Sequence, residues 1–125
     1  MSIVISFSHH KGGTGKTTSS VSVAGFLSKM GEEVLLVDTD PQSNATSSFG
    51  IEKESLDSSM YDVLVGESDI EEIILKTDYG VHVAPSNLDL MGAESFMYKS
   101  GNKTKILEDR LGSVIDNYDY ILIDS

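Results

Sequence analysis

Three short stretches hold residues whose types and spacing could act on a phosphate group. The first is Ser8-His9-His10-Lys11-Gly12-Gly13-Thr14-Gly15-Lys16-Thr17-Thr18. Glycines at 12, 13 and 15 permit positive φ and put no side chain in the way, so successive N–H groups can turn onto one anion. A helix that starts here aims its positive end at the same point. Lys16 adds a full cation for β- and γ-phosphates, and the Thr17 hydroxyl suits the shell of a phosphate-bound Mg²⁺. Together these residues ask for a nucleoside triphosphate. The second stretch, Asp38-Thr39-Asp40-Pro41-Gln42-Ser43-Asn44-Ala45-Thr46, offers two carboxylates in a polar loop. The third is Asp124, an acidic residue at the carboxyl end of the apolar run Tyr120-Ile121-Leu122-Ile123.

The elements around these stretches are the ones such chemistry requires. Ile3 to Phe7 is a β-branched and aromatic run that reads as a buried parallel strand delivering the glycine loop. From about Thr17, Val23, Phe26, Leu27 and Met30 recur at helical spacing and predict a face packed on the sheet, with Gly31 as the stop. Val34 to Val37 is a second buried strand, closing a βαβ unit with a right-handed crossover. Ligands of open α/β sheets sit off the carboxyl ends of the strands, which puts Asp38 and Asp40 beside the glycine loop. A glycine-rich run before a lysine also fits an ordinary turn, and aspartates after a strand also fit turn caps. The flanking strand and helix favour the phosphate-binding reading.

Further along, Met60, Val63 and Leu64 predict one short helix and Ile70, Ile73 and Ile74 another, opened by a capping box of Ser68 and Glu71. Gly80 to Ser86 reads as a strand with Val81 and Val83 on one face, ended by Pro85, and His82 falls in its core or edge. Leu107, Leu111, Val114, Ile115 and Tyr118 predict a helix over the sheet, with Lys103, Lys105, Glu108 and Asp109 off its stripe. His9 and His10 form a pair able to bind a metal; no third ligand is evident, so they read as structural or solvated.

Composition narrows the function. With 39% hydrophobic residues in 125, the chain can bury a core. It has no cysteine, which removes disulfides and thiolate metal sites and fits a reducing compartment, the cytoplasm by default. No apolar run approaches the ~18 residues of a membrane span. Twenty acidic against nine basic side chains give a net charge of −11, so this part of the surface should repel nucleic acid.

The strict phosphate-loop pattern fails at its first glycine, where His10 stands, and the chain instead reads K-G-G-x-G-K-T-T with a second lysine, Lys11. This resembles the deviant phosphate loop of the ParA/MinD/Soj family of ATPases, whose relatives include the nitrogenase iron protein. The D-x-D-P-Q-x-N-A-T string is similar to the ParA/Soj branch, MinD-like members lacking the Pro-Gln step, and residues Asn87 to Glu94 also resemble the ParA pattern. The resemblance implies an α/β P-loop NTPase with a parallel sheet flanked by helices. It implies ATP and Mg²⁺ as cofactors, with Lys11, Gly12, Gly13, Thr14, Gly15, Lys16, Thr17 and Thr18 binding the nucleotide. Lys11 would reach the ATP of a partner subunit, as an arginine finger does elsewhere, beside Lys16 and a water-orienting Asp40. Thr17, Asp124 and Asp38 would serve the metal or its hydration.

By the same resemblance, residues 1–125 are the N-terminal part of one ATPase domain, truncated after the Asp124 strand, with that last strand left as an exposed edge. The implied role is partition of plasmid or chromosomal DNA through ATP-dependent homodimerisation, with a ParB-like stimulating protein. DNA would be contacted through further C-terminal sequence, and no membrane is expected. Two alternatives stand beside it: a MinD-like membrane-cycling ATPase, and a module that binds nucleotide without turnover.

Overall fold

The structure, a computed structural model, describes residues 2–7, 14–92 and 103–125, of which 14–17 and 103–104 are described as backbone. Strand β1 (Ile3–Phe7) is followed by helix α1 (Thr14–Lys29) and strand β2 (Val34–Asp38). Short helices α2 (Asn44–Ser48), α3 (Met60–Leu64) and α4 (Ile70–Ile73) lead to β3 (Leu75–Lys76) and β4 (His82–Ala84). Helix α5 (Lys103–Leu111) and a 3-10 turn at Ile115–Asn117 precede β5 (Tyr120–Asp124). The sheet order is β1-β5-β2-β4-β3, with β1, β5, β2 and β4 parallel and β3 antiparallel to β4.

The chain's last strand is therefore central, not the edge expected from the sequence. The α1 crossover carries the chain from β1 past one vacant position to β2, and β5 fills that slot, pairing with both. Its Ile121 and Leu122 are fully buried, whereas the supposedly buried β1 is the edge, with Ile3 and Val4 about half exposed. Beside that edge, Val4, Leu107, Leu111, Ile115 and Ile123 line an apolar groove.

Two apolar layers sandwich the sheet, and strand alternation divides them. On one side Leu35, Val37, Ile121 and Ile123 meet α3, α4 and α5 through Met60, Val63, Ile70, Leu107 and Leu111. On the other, Val34, Leu36, Val83 and Leu122 meet α1 through Ala24, with Val21, Val23 and Leu27 at the margin. Phe26 and Met30, expected on the packed stripe of α1, are exposed. The small residues Ser20 and Ala24 occupy the closest contact instead, because a sheet approached this tightly leaves no room for larger side chains.

Other boundaries also differ from expectation. The capping box of α4 is Asp69 with Glu72, one residue after the Ser68 and Glu71 read from sequence, and Ile74 has already turned extended. Ser59 and Asp62 form a capping box on α3, and Met60 N–H donates to Pro85 O at 2.8 Å, fixing α3 to the end of β4. The helix expected through Tyr118 stops at Leu111, Gly112 follows, and Tyr118 is extended. There its hydroxyl meets His82 Nδ1 at 2.9 Å and the two rings pack edge to face. Arg110 Nε donates to Val63 O at 2.8 Å and ties α5 to α3.

Candidate functional site

Parallel register assembles the site. Phe7, the last residue of β1, lies opposite Asp124 of β5, which in turn lies opposite Asp38 of β2. The exit of β1 and two strand-terminal aspartates thus stand in one row at the carboxyl edge of the sheet. Hydrogen bonds lock that row, with Ser125 N–H donating to Phe7 O at 3.1 Å and Thr39 N–H to Asp124 O at 2.8 Å.

Helix α1 begins at Thr14, so Thr14-Gly15-Lys16-Thr17 is its first turn. The amides of a first helical turn have no acceptors within the helix, and the helix dipole adds positive charge there. Thr18 is exposed on the same helix. One turn further on, Ser20 Oγ donates to Asp124 Oδ1 at 3.1 Å, both residues being buried. That bond places the start of α1 beside the end of β5. Lys11, Gly12 and Gly13 lie outside the described residues, as do His9 and His10.

Asp38 and Asp124 both have 0% of their surface exposed. Asp38 Oδ1 accepts from Asp40 N–H at 3.0 Å, and Oδ2 accepts from Thr46 N–H at 2.9 Å and from Thr46 Oγ1 at 2.7 Å. Burial nevertheless pushes its pKa up to about 6; the three hydrogen bonds counter this and the Asp124 carboxylate adds to it. Two buried carboxylates side by side concentrate negative charge, and hard carboxylate oxygens suit a hard divalent cation. Among the described residues no cluster of three or more His, Asp or Glu is arranged for a metal. The two carboxylates suit a cation that takes its other oxygens from hydroxyls, waters and phosphates.

Asp40, half-buried, follows in the loop opened by Pro41, and its Oδ1 accepts from Gln42 N–H at 3.0 Å. Ser43, buried at the cap of α2, has φ 59°, and among the described residues it is the one non-glycine in the left-handed region. The sequence reading named Asp38, Asp40 and Asp124 but missed Ser20, Thr46 and Ser86, whose hydroxyls hold those aspartates in place. A small polar residue on the packed face of α1 was the available signal for Ser20. Thr46 closes the string that carries the aspartates, yet nothing local shows that it returns to Asp38.

Comparison with known proteins agrees with this fold. A family model described as AAA domain matches residues 2–125. The chain is 42% identical to the sporulation initiation inhibitor protein Soj of Bacillus subtilis over 125 residues, which span 99% of this chain and 49% of that protein. It is 36% identical to the chromosome partitioning protein ParA of Caulobacter vibrioides over 124 residues, 97% of this chain and 46% of that one. A crystal structure of cobyrinic acid a,c-diamide synthase from Mycobacterium smegmatis, with bound ATP analog and magnesium, superposes with a TM-score of 0.93 at 33% identity. That match covers 99% of this chain and 51% of the synthase. The chain thus spans about half the length of the relatives it matches.

Proposed function

The chain belongs to the AAA domain family, in its ParA/MinD/Soj group, and from that membership we propose that it forms the nucleotide-binding half of a partition ATPase. The observation that carries this reading is the in-register row of Phe7, Asp124 and Asp38, which sets two buried carboxylates beside the exit to Lys11–Thr18. The likeness to a structure holding an ATP analog and magnesium supports the same ligands here.

In this reading the amides of the glycine loop and Lys16 bind the triphosphate, and Thr14 to Thr18 put a helix N-terminus against it. Thr17 and Asp124 would hold Mg²⁺, with Asp38 bracing its surroundings; when bound, the ion neutralises charge on the phosphate oxygens. Asp40 orients the attacking water, and Lys11 of one subunit stabilises charge on the nucleotide of the other. Dimerisation is then part of the reaction, and hydrolysis resets the pair. A ParB-like stimulating partner and DNA contacted outside this acidic portion complete the proposed cycle. No helix among the described residues is long and apolar enough to cross a membrane.

Steady-state phosphate release by the full-length protein tests the assignment. Lys16→Ala is expected to abolish ATP binding measured by calorimetry. Asp40→Ala should keep binding while lowering turnover by about 100-fold. Wild-type rates in both variants would refute these roles, and binding without any phosphate release in the unaltered protein would show a module that does not turn over.

A further inference from the structure

The main chain of Asp40 is gripped on both sides. Its N–H donates to Asp38 Oδ1 at 3.0 Å, and its carbonyl accepts from Ser86 Oγ at 2.7 Å. Ser86 N–H donates to Thr46 Oγ1 at 3.0 Å, and Thr46 Oγ1 donates to Asp38 Oδ2 at 2.7 Å. Four residues from three separate stretches, the end of β2, helix α2 and the segment after β4, thereby close a ring of hydrogen bonds.

The direction of each bond is forced. An amide can only donate, so Ser86 N–H must use a lone pair of the Thr46 hydroxyl, whose one proton then goes to the Asp38 carboxylate. Asp38, Thr46 and Ser86 are each fully buried, so solvent does not repair a broken link. Asp40 itself is only half-buried, with its backbone inside the ring and its Oδ1 accepting from Gln42 N–H at 3.0 Å. The next turn is held as tightly. Ser43 N–H donates to Asp40 O at 2.9 Å and Ser43 Oγ to Pro41 O at 3.2 Å, around a φ of 59° that persists only where surrounding bonds over-determine it.

We propose that Thr46 and Ser86 are positioning residues for Asp40: their ring fixes the peptide planes before and after it, and from that fixed backbone the bond of Gln42 N–H to its Oδ1 holds the carboxylate in one direction. The proposal rests on the reading of Asp40 as the group that orients water, and it adds a mechanical link between the β2 and β4 loops. A ring that merely held the fold together would change stability and leave the reaction alone.

The test uses Thr46→Val, which keeps the shape and removes the hydroxyl, Thr46→Ser, which restores it, and Ser86→Ala, which removes only the bond to the Asp40 carbonyl. In the full-length protein, Thr46→Val is expected to speed amide hydrogen exchange at Asp40 and Ser86 by about tenfold while Val83 and Leu122 stay within about twofold. Its kcat for ATP should fall about tenfold with KM changed by less than about twofold, and Thr46→Ser should recover both. Ser86→Ala should lower kcat in the same way, which keeps the test open if Thr46→Val does not fold. Unchanged exchange at Asp40, or unchanged kcat in a folded Thr46→Val or Ser86→Ala protein that exchanges faster, overturns the proposal. No turnover by the wild-type protein overturns the assignment of Asp40 itself and this role with it.

Discussion

Removing the charge at Asp38 should change how stability depends on pH. In the folded chain this carboxyl titrates near 6 because burial disfavours its ionised form, whereas in the unfolded chain it returns to the ordinary 3.8. The native state therefore binds its proton more tightly than the unfolded state. The group contributes stability that is fully present below the unfolded pKa and is lost as pH rises through about 6. The gap of two pKa units and a little more corresponds to about 3 kcal/mol across the whole window. Roughly 1 kcal/mol of this is recovered on lowering the pH from about 7.5 to 5, and roughly 2 by pH 4. For a domain of this size each kcal/mol moves Tm by about 4 °C. The other acidic side chains also titrate, and relief of their mutual repulsion stabilises the acid form as well, so wild type alone does not isolate the site. The comparison is with Asp38→Asn, by urea denaturation with chelator at a series of pH values between 4 and 8. Asparagine carries an amide where Thr46 offers two donors, so the variant has a constant deficit. The difference between the two proteins should widen in favour of wild type as pH falls, by about 2 kcal/mol at pH 4. A difference that stays level would refute the view that burial, with Asp124 opposite, sets this carboxyl's affinity for its proton.

Further outcomes check the packing at the amino ends of β4 and β5. Gly80 has φ +79° and a Cβ there would meet Ser28 Oγ at 2.5 Å, so Gly80→Ala should cost about 2 kcal/mol in urea denaturation. Ser28→Ala in the same chain should return part of that cost, and strict additivity in the double-mutant cycle would contradict the contact. Tyr118→Phe keeps the edge-to-face packing on His82 and loses the hydrogen bond, which should cost about 1 kcal/mol. In the parent protein the Tyr118 phenol should ionise above its ordinary value of 10, held up by burial and by the Glu33 charge, and the difference between the ultraviolet titrations of the parent and Tyr118→Phe reads this.

The row of strand ends shows what a single sequence makes legible here and what it hides. Each participating segment carries its own signal. Val34–Asp38 and Tyr120–Asp124 are apolar runs ending in aspartate, and a reader can place both at the carboxyl edge of a parallel sheet. Which strand stands beside which is not written in either run, because strand order depends on where the crossovers leave a gap. The gap left by α1 is filled by residues more than 80 positions after β2 begins. The same ignorance of neighbours explains the half of the α1 stripe that was misread. Val23 and Leu27 do pack against the sheet, but Phe26 and Met30 are exposed and the fully buried positions are Ser20 and Ala24, whose small size only matters once the distance to β5 is known. Boundaries failed for a more local reason. At α4 two acidic residues lie within one position of each other at the N3 end, so either phase of the capping box satisfied the pattern until tertiary contacts picked Asp69 with Glu72.

One consequence joins the fold to the proposed chemistry. Catalytic and binding groups at the end of a parallel sheet are fixed in level by register but free in direction, since each strand passes there into a loop. In this chain the missing constraint comes from short polar side chains to which the sequence assigned no role: Ser20 on Asp124, Thr46 on Asp38, and Ser86 on the carbonyl of Asp40. Each reaches across from an element distant in sequence, and each is buried or lies against a buried partner, where a hydrogen bond is strongest and its loss is least compensated. A site built in this way trades tolerance of substitution for direction. Hydroxyl-deleting changes at Ser20, Thr46 and Ser86 should therefore harm the site more than comparable changes on the exposed α1 residues Phe26 and Met30, although the latter are far larger side chains.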